Sequence, residues 1–356
     1  MGGICIYSVG MLRQTIAGFC MMGLALAPAA AVAAGPQAQL DNGVLHVTVE
    51  LPDGTNGFYH GTRFDWSGVI SGLTYAGHSF YGPWFTRVDP AVRDFIFDGN
   101  DIVAGKQSSA SGPVEEFVHT ANDMSGQGYA EAKAGGTFVK IGVGILRKPD
   151  EQRYSQYRDY EIVNLAPWKV RVRKTSVQFM QRVVDPVSGY GYLYTKTIRL
   201  IPGEPRMEIE HSLKNLGRLP IATDVYDHNF LVLDHQATGP DFSVSLPFPI
   251  QAARNSRATI GQIDGNRVSY KQVFAGRDTF DVTMNGFGTA KDNDIRMENA
   301  RVGAGVHITS DHPFVHGELW SIRTVIGMEP YIELAAKPGE TIHWTYHYEY
   351  YTLPKY

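Results

Sequence analysis

The chain has 356 residues, 43% hydrophobic and 12% aromatic, with 32 basic and 36 acidic side chains. A net charge of −4 and no basic run longer than "VRVRK" argue against nucleic acid as a partner, because binding phosphates takes clustered lysines and arginines. There are only two cysteines, Cys5 and Cys20, and both precede any strand-like pattern, which leaves no framework for disulfides.

In "MLRQTIAGFCMMGLALAPAAAVAAG", Arg13 precedes an apolar run from about Ile16 to Ala27, and Ala31, Val32 and Ala33 form an A-x-A pattern. This is the pattern of a secretory signal peptide, with Met11 an equally good start. Residues 1–34 are therefore expected to be cleaved, leaving a periplasmic or secreted product. The apolar run is shorter than the roughly 20 residues of a membrane span, so no stable membrane insertion is expected. Phe19 stands where a lipoprotein cleavage box wants a small residue before Cys20. Cleavage removes both cysteines, and with them any thiol nucleophile or cysteine metal site. A product of about 320 residues can bury roughly three-quarters of its unfolded surface as one domain, which we assign to residues 35–356.

The first polar concentration along the chain is "GTRFDWSGVISGLTYAGHSFYGPW" (61–84), with Arg63, Asp65, Trp66, His78 and Trp84 among glycines. It reads either as a binding loop or as a hairpin in which Arg63 pairs with Asp65 and Trp66 packs inward. Residues 85–135 are irregular, and long loops on a β scaffold often build the site. Within them "SGPVEEFVHT" (111–120) presents Glu115, Glu116 and His119, as ligands or as a charged loop face.

From there alternation dominates: "TFVKIGVGILRK" (137–148), "KVRVRKTSVQF" (169–179), "YLYTKTIRLI" (192–201) and "RMEIEHSL" (206–213). The last places Met207, Ile209, His211 and Leu213 on one face. "TDVYDHNFLVLDH" (223–235) starts as an apolar strand but carries Asp227, His228 and Asn229 in succession. A buried polar group without a partner costs roughly 2–7 kcal/mol, so these three need a reason to be there. In "IGMEPYIELAAKPGE" (326–340), Glu329 likewise interrupts an apolar run. In the final strand, "TIHWTYHYEYY", Ile342, Trp344, Tyr346, Tyr348 and Tyr350 face one way. Turns such as "DPVSG", "IPGEP" and "KPGE" separate these runs, and the spacing predicts antiparallel hairpins in an all-β sandwich or barrel. Edge strands leave monomer and homodimer both open.

Aromatic residues, including 19 tyrosines, suit strands and also suit the C–H faces of sugar rings. The 12 histidines form no H-x-H or H-E-x-x-H pattern. His343 and His347 would stand about 13 Å apart along a strand, too far to share one ion. No metal or other cofactor is expected from motifs, although a mixed site gathered from several strands stays open. No G-x-S-x-G occurs, which leaves a serine hydrolase unsupported.

Two stretches, "HSLKNLGRLPIATDVYDHNFLVLD" and "IGMEPYIELAAKPGETIHWTYHY", resemble the galactose mutarotase (aldose 1-epimerase) superfamily. Asn215, Gly217 and Pro220 match its turn and "DHNFLVLD" its histidine strand. Glu329, then Pro338, Gly339 and Glu340, and then the aromatic strand follow in the family's order. The resemblance covers roughly residues 190–352. It implies a large antiparallel β-supersandwich with a sugar-sized cleft, His228 as general acid and Glu329 as general base, facing each other across a pyranose-sized gap. The family's first-half strings "N-R-I" and "L-H-G-G" are absent, and Arg63 and His119 are the candidates for the roles they fill. Arg63, Asp65, Trp66, His78, Glu115, Glu116, His119 and Asn229 are the expected sugar-binding residues. The activity implied is interconversion of sugar anomers. The alternatives are a lyase acting on a uronic-acid glycan and a non-catalytic glycan-binding module.

Overall fold

The computed structural model describes residues 35–119, 124–256 and 258–354. The predicted signal peptide lies outside the described residues. Two large antiparallel sheets carry the fold. The ten-stranded sheet runs in the order Trp168–Arg173, Ser176–Val184, Gly191–Leu200, Arg206–Asn215, Thr341–Thr352, Ala304–Ser310, Asp294–Asn299, Phe242–Ser245, Arg267–Tyr270, Gly261–Asp264. The six-stranded sheet runs Gln251–Ser256, Thr279–Asn285, His316–Ile322, Val325–Ala336, Ile221–Leu231, Gly112–Val118. Three small sheets, of four, three and three strands, flank these two. Among the described residues there is no α-helix, and no helix long and apolar enough to cross a membrane.

Period-two alternation explains how the two sheets meet. Met207, Ile209 and Leu213, with Trp344, Tyr346, Tyr348 and Tyr350, point from the ten-stranded sheet into a shared core. Phe117, Val225, Leu231, Val282, Leu319 and Met328 meet them from the six-stranded sheet. The opposite face of the six-stranded sheet is not left to solvent. A second apolar cluster covers it, with Phe64, Trp66, Trp84, Val114, Phe138 and Phe230.

An ionic knot sits between the two big sheets. Lys196, fully buried, pairs with Glu115, gives a hydrogen bond to the Ser67 carbonyl at 2.8 Å, and lies 3.7 Å from Asp65. Glu115 also meets His211 Nε2 at 2.7 Å. Asp65 accepts from Tyr194 at 3.0 Å and from the Ser67 hydroxyl at 2.7 Å. Burial alone would raise the Glu115 carboxyl, but Lys196 and His211 outweigh it and hold it down at about 2. Burial wins at Asp65, which is pushed up to about 6 despite Lys196. Asp65 is thus held under the fold, and the predicted Arg63–Asp65 pairing does not form. The backbone of Gly142 passes against Asp65 at a φ of +79°, where a Cβ would lie 2.6 Å from its carboxylate.

Lys196→Met leaves the Glu115 and Asp65 carboxylates in the core without their cation, and should cost about 3–5 kcal/mol in urea unfolding at pH 7. A loss below about 1 kcal/mol would show that the knot is not holding the sheets. Asp227, in the same core, is pushed by burial and by nearby Glu115 from 3.8 up to about 8. The fold therefore favours its protonated form, and this contribution is full below the unfolded pKa and lost as pH rises towards 8. Asp227→Asn, which cannot ionise, should gain stability relative to wild type between pH 5 and pH 8. An equal difference at both pH values contradicts the assignment.

Candidate functional site

The outer face of the six-stranded sheet presents its side chains in rows, set by the strand registers. One row joins Glu116, Tyr226, Tyr331 and His316, through the pairs Glu116 with Tyr226, Tyr226 with Tyr331 and Tyr331 with His316. The next holds Val114, His228, Glu329, Glu318 and Thr283. His228 falls opposite Glu329 because Asn229 pairs with Met328 and Tyr226 with Tyr331 in one unbroken register. The third row is Phe230, Gly327, Trp320 and Asp281. Residues directly opposite on an antiparallel pair have Cβ atoms about 4.5–5.5 Å apart, so their side chains touch.

His228 and Glu329 do touch. Nε2 of His228 lies 2.8 Å from Oε1 of Glu329, and the two residues are only 4% and 7% exposed. The expected pyranose-sized gap between them is therefore not there: they are cross-strand neighbours with nothing between. Tyr331 reaches the other oxygen, Oε2, at 3.4 Å. The imidazole stacks on Phe230 at 3.6 Å between ring centroids and meets Phe64 and Trp320 edge-on. Its Nδ1 is buried without a hydrogen-bond partner among the described residues. Gly327 makes the room: a Cβ there would fall 2.4 Å from Cε1 and 2.9 Å from Nδ1 of His228.

The pair forms one wall of a cavity of about 260 Å³. Trp84, Phe230 and Trp320 supply its apolar side, Tyr226 and Tyr331 its hydroxyls, and Arg63, Asp94 and Tyr157 close it from the surrounding loops. Arg63 gives Nε to Glu116 at 2.7 Å and Nη2 to the Tyr226 hydroxyl at 2.9 Å, with its guanidinium over the Phe64 and Tyr157 rings. Glu116 also binds fully buried Lys140 at 2.9 Å. Burial would raise the Glu116 carboxyl, but Lys140 and Arg63 bring it below its ordinary value. Burial pulls Lys140 down, with Glu116 opposing. Burial raises Asp94, although Arg63 and a hydrogen bond from Ser108 pull the other way.

Of the ten residues expected at the site, His228, Glu329 and Arg63 line this cavity, and Glu116 sits behind Arg63 and holds it. The other six lie elsewhere. Glu115 and Asp65 belong to the ionic knot between the sheets. Trp66 is core, giving its indole N–H to the Gly61 carbonyl at 2.6 Å. His78 pairs with Asp234 at 2.7 Å. His119 forms an isolated bridge with Ser125 beyond the end of the strand Gly112–Val118. Asn229 faces the core, where it accepts from Tyr348 at 2.9 Å and donates to the Met328 carbonyl at 2.9 Å. Parity explains Asn229 and Glu115, since neighbours in a strand point to opposite faces. Tyr226, Tyr331, Trp320 and Glu318 were missed. Tyr226 and Tyr331 each stand two residues from an expected residue on their own strand, Glu318 stands opposite Glu329, and Trp320 follows two residues after Glu318 on a strand that carries no expected residue. Among the described residues, no cluster of three or more His, Asp or Glu side chains has the geometry to hold a metal ion.

No family model and no curated protein sequence matches the chain. Solved structures do. A galactose mutarotase-like protein from Lactobacillus casei aligns with a TM-score of 0.51 at 10% identity, over 89% of this chain and 100% of its own. A galactose mutarotase related enzyme from Lactobacillus acidophilus aligns at 0.50 and 12% identity, over 89% and 98%. A galactose mutarotase-like protein from Clostridium acetobutylicum aligns at 0.50 and 10% identity, over 88% and 95%. The chain has the galactose mutarotase-like fold. At such identities the likeness is one of fold, and a mutarotase-like supersandwich alone assigns no chemistry.

Gly327→Ala should push the His228 ring off its seat, because the stacked Phe230 leaves it little room to yield. The Cε1–H resonance of His228, followed by NMR at fixed pH, should move relative to wild type. An unmoved resonance in a folded variant contradicts the close approach.

Proposed function

We propose that this protein is an aldose 1-epimerase-like enzyme that interconverts the anomers of a neutral reducing sugar by acid–base catalysis at His228 and Glu329. The observation that carries the reading is the 2.8 Å contact between imidazole and carboxylate on the wall of an aromatic-lined cavity. Ring opening takes a proton from the anomeric hydroxyl and gives one to the ring oxygen. Both oxygens sit on one carbon, so an acid and a base that address them together must themselves be neighbours. Adjacent cross-strand residues suit this better than groups on opposite sides of a sugar would.

Glu329 accepts the proton of the anomeric hydroxyl while protonated His228 donates from Nε2 to the ring oxygen. The C1–ring oxygen bond breaks and the open-chain aldehyde forms. Rotation about C1–C2 presents the other carbonyl face, and the ring hydroxyl re-adds. The reverse transfers then return both groups to their starting states. The substrate must first break the His228–Glu329 hydrogen bond by taking over both partners. Trp84 and Trp320 offer faces for the sugar's C–H surface, and Tyr226 and Tyr331 offer hydroxyls. Export through residues 1–34 belongs to the same proposal, with a reducing sugar met outside the cytoplasm.

The charge of the cavity disfavours the lyase alternative. Asp94, Asp281, Glu318 and Glu329 all line it, and Arg63 is engaged with Glu116. A uronate carboxylate seated beside them would meet like charges, whereas a lyase must neutralise that carboxylate.

Polarimetry on freshly dissolved α-glucose and α-galactose tests the reading. Wild type should accelerate the approach to equilibrium. His228→Gln and Glu329→Gln should each lower that rate by about 10²–10⁴-fold, with the double variant little worse than either because the two act as a unit. Full activity in either single variant sinks the assignment.

A further inference from the structure

The strands Trp168–Arg173, Ser176–Val184, Gly191–Leu200 and Arg206–Asn215 make up one end of the ten-stranded sheet. Every second residue on them turns away from the core. Their registers sort the outward side chains into rows. Lys169 stands in line with Met180, Thr195 and Ser212, Arg171 with Gln178 and Thr197, and Arg182 with Leu193 and Lys214. Arg173 ends the outermost strand on the same face.

These five cations are exposed, and none has an ion-pair or side-chain hydrogen-bond partner among the described residues. The acids on the same face are already engaged. Glu210 holds Arg199 at 3.0 Å, and Glu208 lies 3.4 Å from His347 Nδ1. The rows of Lys169 and Arg182 contain no acid, and run on to His343 and Thr341. With strands about 5 Å apart and same-face residues about 7 Å apart, the field spans roughly 15 Å each way. It stands out in a chain whose net charge is −4. Cations on an edge strand can serve simply to repel a second edge. That accounts for Lys169, Arg171 and Arg173, but not for Arg182 and Lys214, which lie on strands further in.

We propose that this face binds an acidic polysaccharide, a chain of uronic acids laid across the rows. A guanidinium matches a carboxylate through two parallel hydrogen bonds, and arginine supplies three of the five cations. Thr195 and Ser212, set between Lys169 and His343, offer hydroxyls to the sugar's own. No Trp, Tyr or Phe stands on these rows. The face therefore lacks the stacking platform of a single-stranded nucleic-acid site and the apolar anchor of a membrane-bound surface. It lies on the far side of the sandwich from His228 and Glu329, so a bound chain leaves the cavity open. The inference does not use the epimerase reading. Exposed charge contacts of this kind weaken as salt rises.

Polygalacturonate and its methyl ester share one backbone and differ in charge, and titration calorimetry at low ionic strength compares them. Wild type should bind the acid, more weakly as salt is added, and not the ester. A Lys169→Gln/Arg171→Gln/Arg182→Gln variant should bind it at least about tenfold more weakly. A Lys133→Gln/Lys291→Gln/Lys337→Gln variant removes the same charge from exposed positions elsewhere, and should stay within about twofold of wild type. No binding of polygalacturonate, equal binding of its ester, or an equal loss in the two variants overturns the proposal. So does binding of oligothymidine or phosphatidylglycerol vesicles as tight as that of the polyuronate, which would mark a nucleic-acid or membrane surface. Polarimetry on the same variants reads the cavity alone, so the two proposals fail separately.

Discussion

The site depends on the register between the strands Ile221–Leu231 and Val325–Ala336, which puts residue 228 opposite residue 329 on the outer face of the six-stranded sheet. A slip of one residue would turn every side chain of one strand to the other face and break up all three rows of the cavity wall. The lock lies on the face away from the cavity. The Tyr348 hydroxyl hydrogen-bonds to both Asp227 and Asn229, and Asn229 donates to the carbonyl of Met328 across the strand pair. The succession Asp227, His228, Asn229 therefore divides its work by parity. The two outer members tie the strand to the core and to its neighbour, and the middle one reaches the cavity. Pro330, which has no N–H to give, interrupts the ladder here: the register runs unshifted on either side, but residues 227 and 228 pair only with Glu115 and Val114 of the strand Gly112–Val118.

The same division recurs in the strand Gly112–Val118. Glu115 points inward to Lys196 and His211, and Glu116 points outward to Lys140, Arg63 and Tyr226. One short, wholly buried strand thus anchors an ionic cluster on each side of the sheet. The inner cluster joins the two sheets, and the outer one fixes the guanidinium that closes the cavity. Removing a partner from either leaves a buried charge exposed to a low dielectric, which is far more costly than never having had the pair.

The alternation of "RMEIEHSL" and of the final aromatic strand gave away the core face: Met207, Ile209, Leu213, Trp344, Tyr346 and Tyr348 all point inward as the period predicts. His228 and Glu329 stood out as polar breaks in apolar runs, and both reach the cavity. What local pattern could not carry was register across the chain. His228 and Glu329 are separated by about a hundred residues, so nothing in either stretch shows that they touch rather than face each other at a distance. Arg63 and Asp65 are two residues apart, yet one finds Glu116 and the other Lys196. Asn229 and Glu115 were open to a simpler argument, since each adjoins a cavity-facing residue on a strand and must point the other way.

The most direct test of the account is a crystal structure of the protein with a neutral reducing sugar bound. The account predicts the anomeric carbon beside the cross-strand pair, with the anomeric hydroxyl in hydrogen-bond reach of a Glu329 oxygen and the ring oxygen in reach of His228 Nε2. A sugar seated with that carbon turned away from the pair, and its ring oxygen beyond reach of the imidazole, would contradict it.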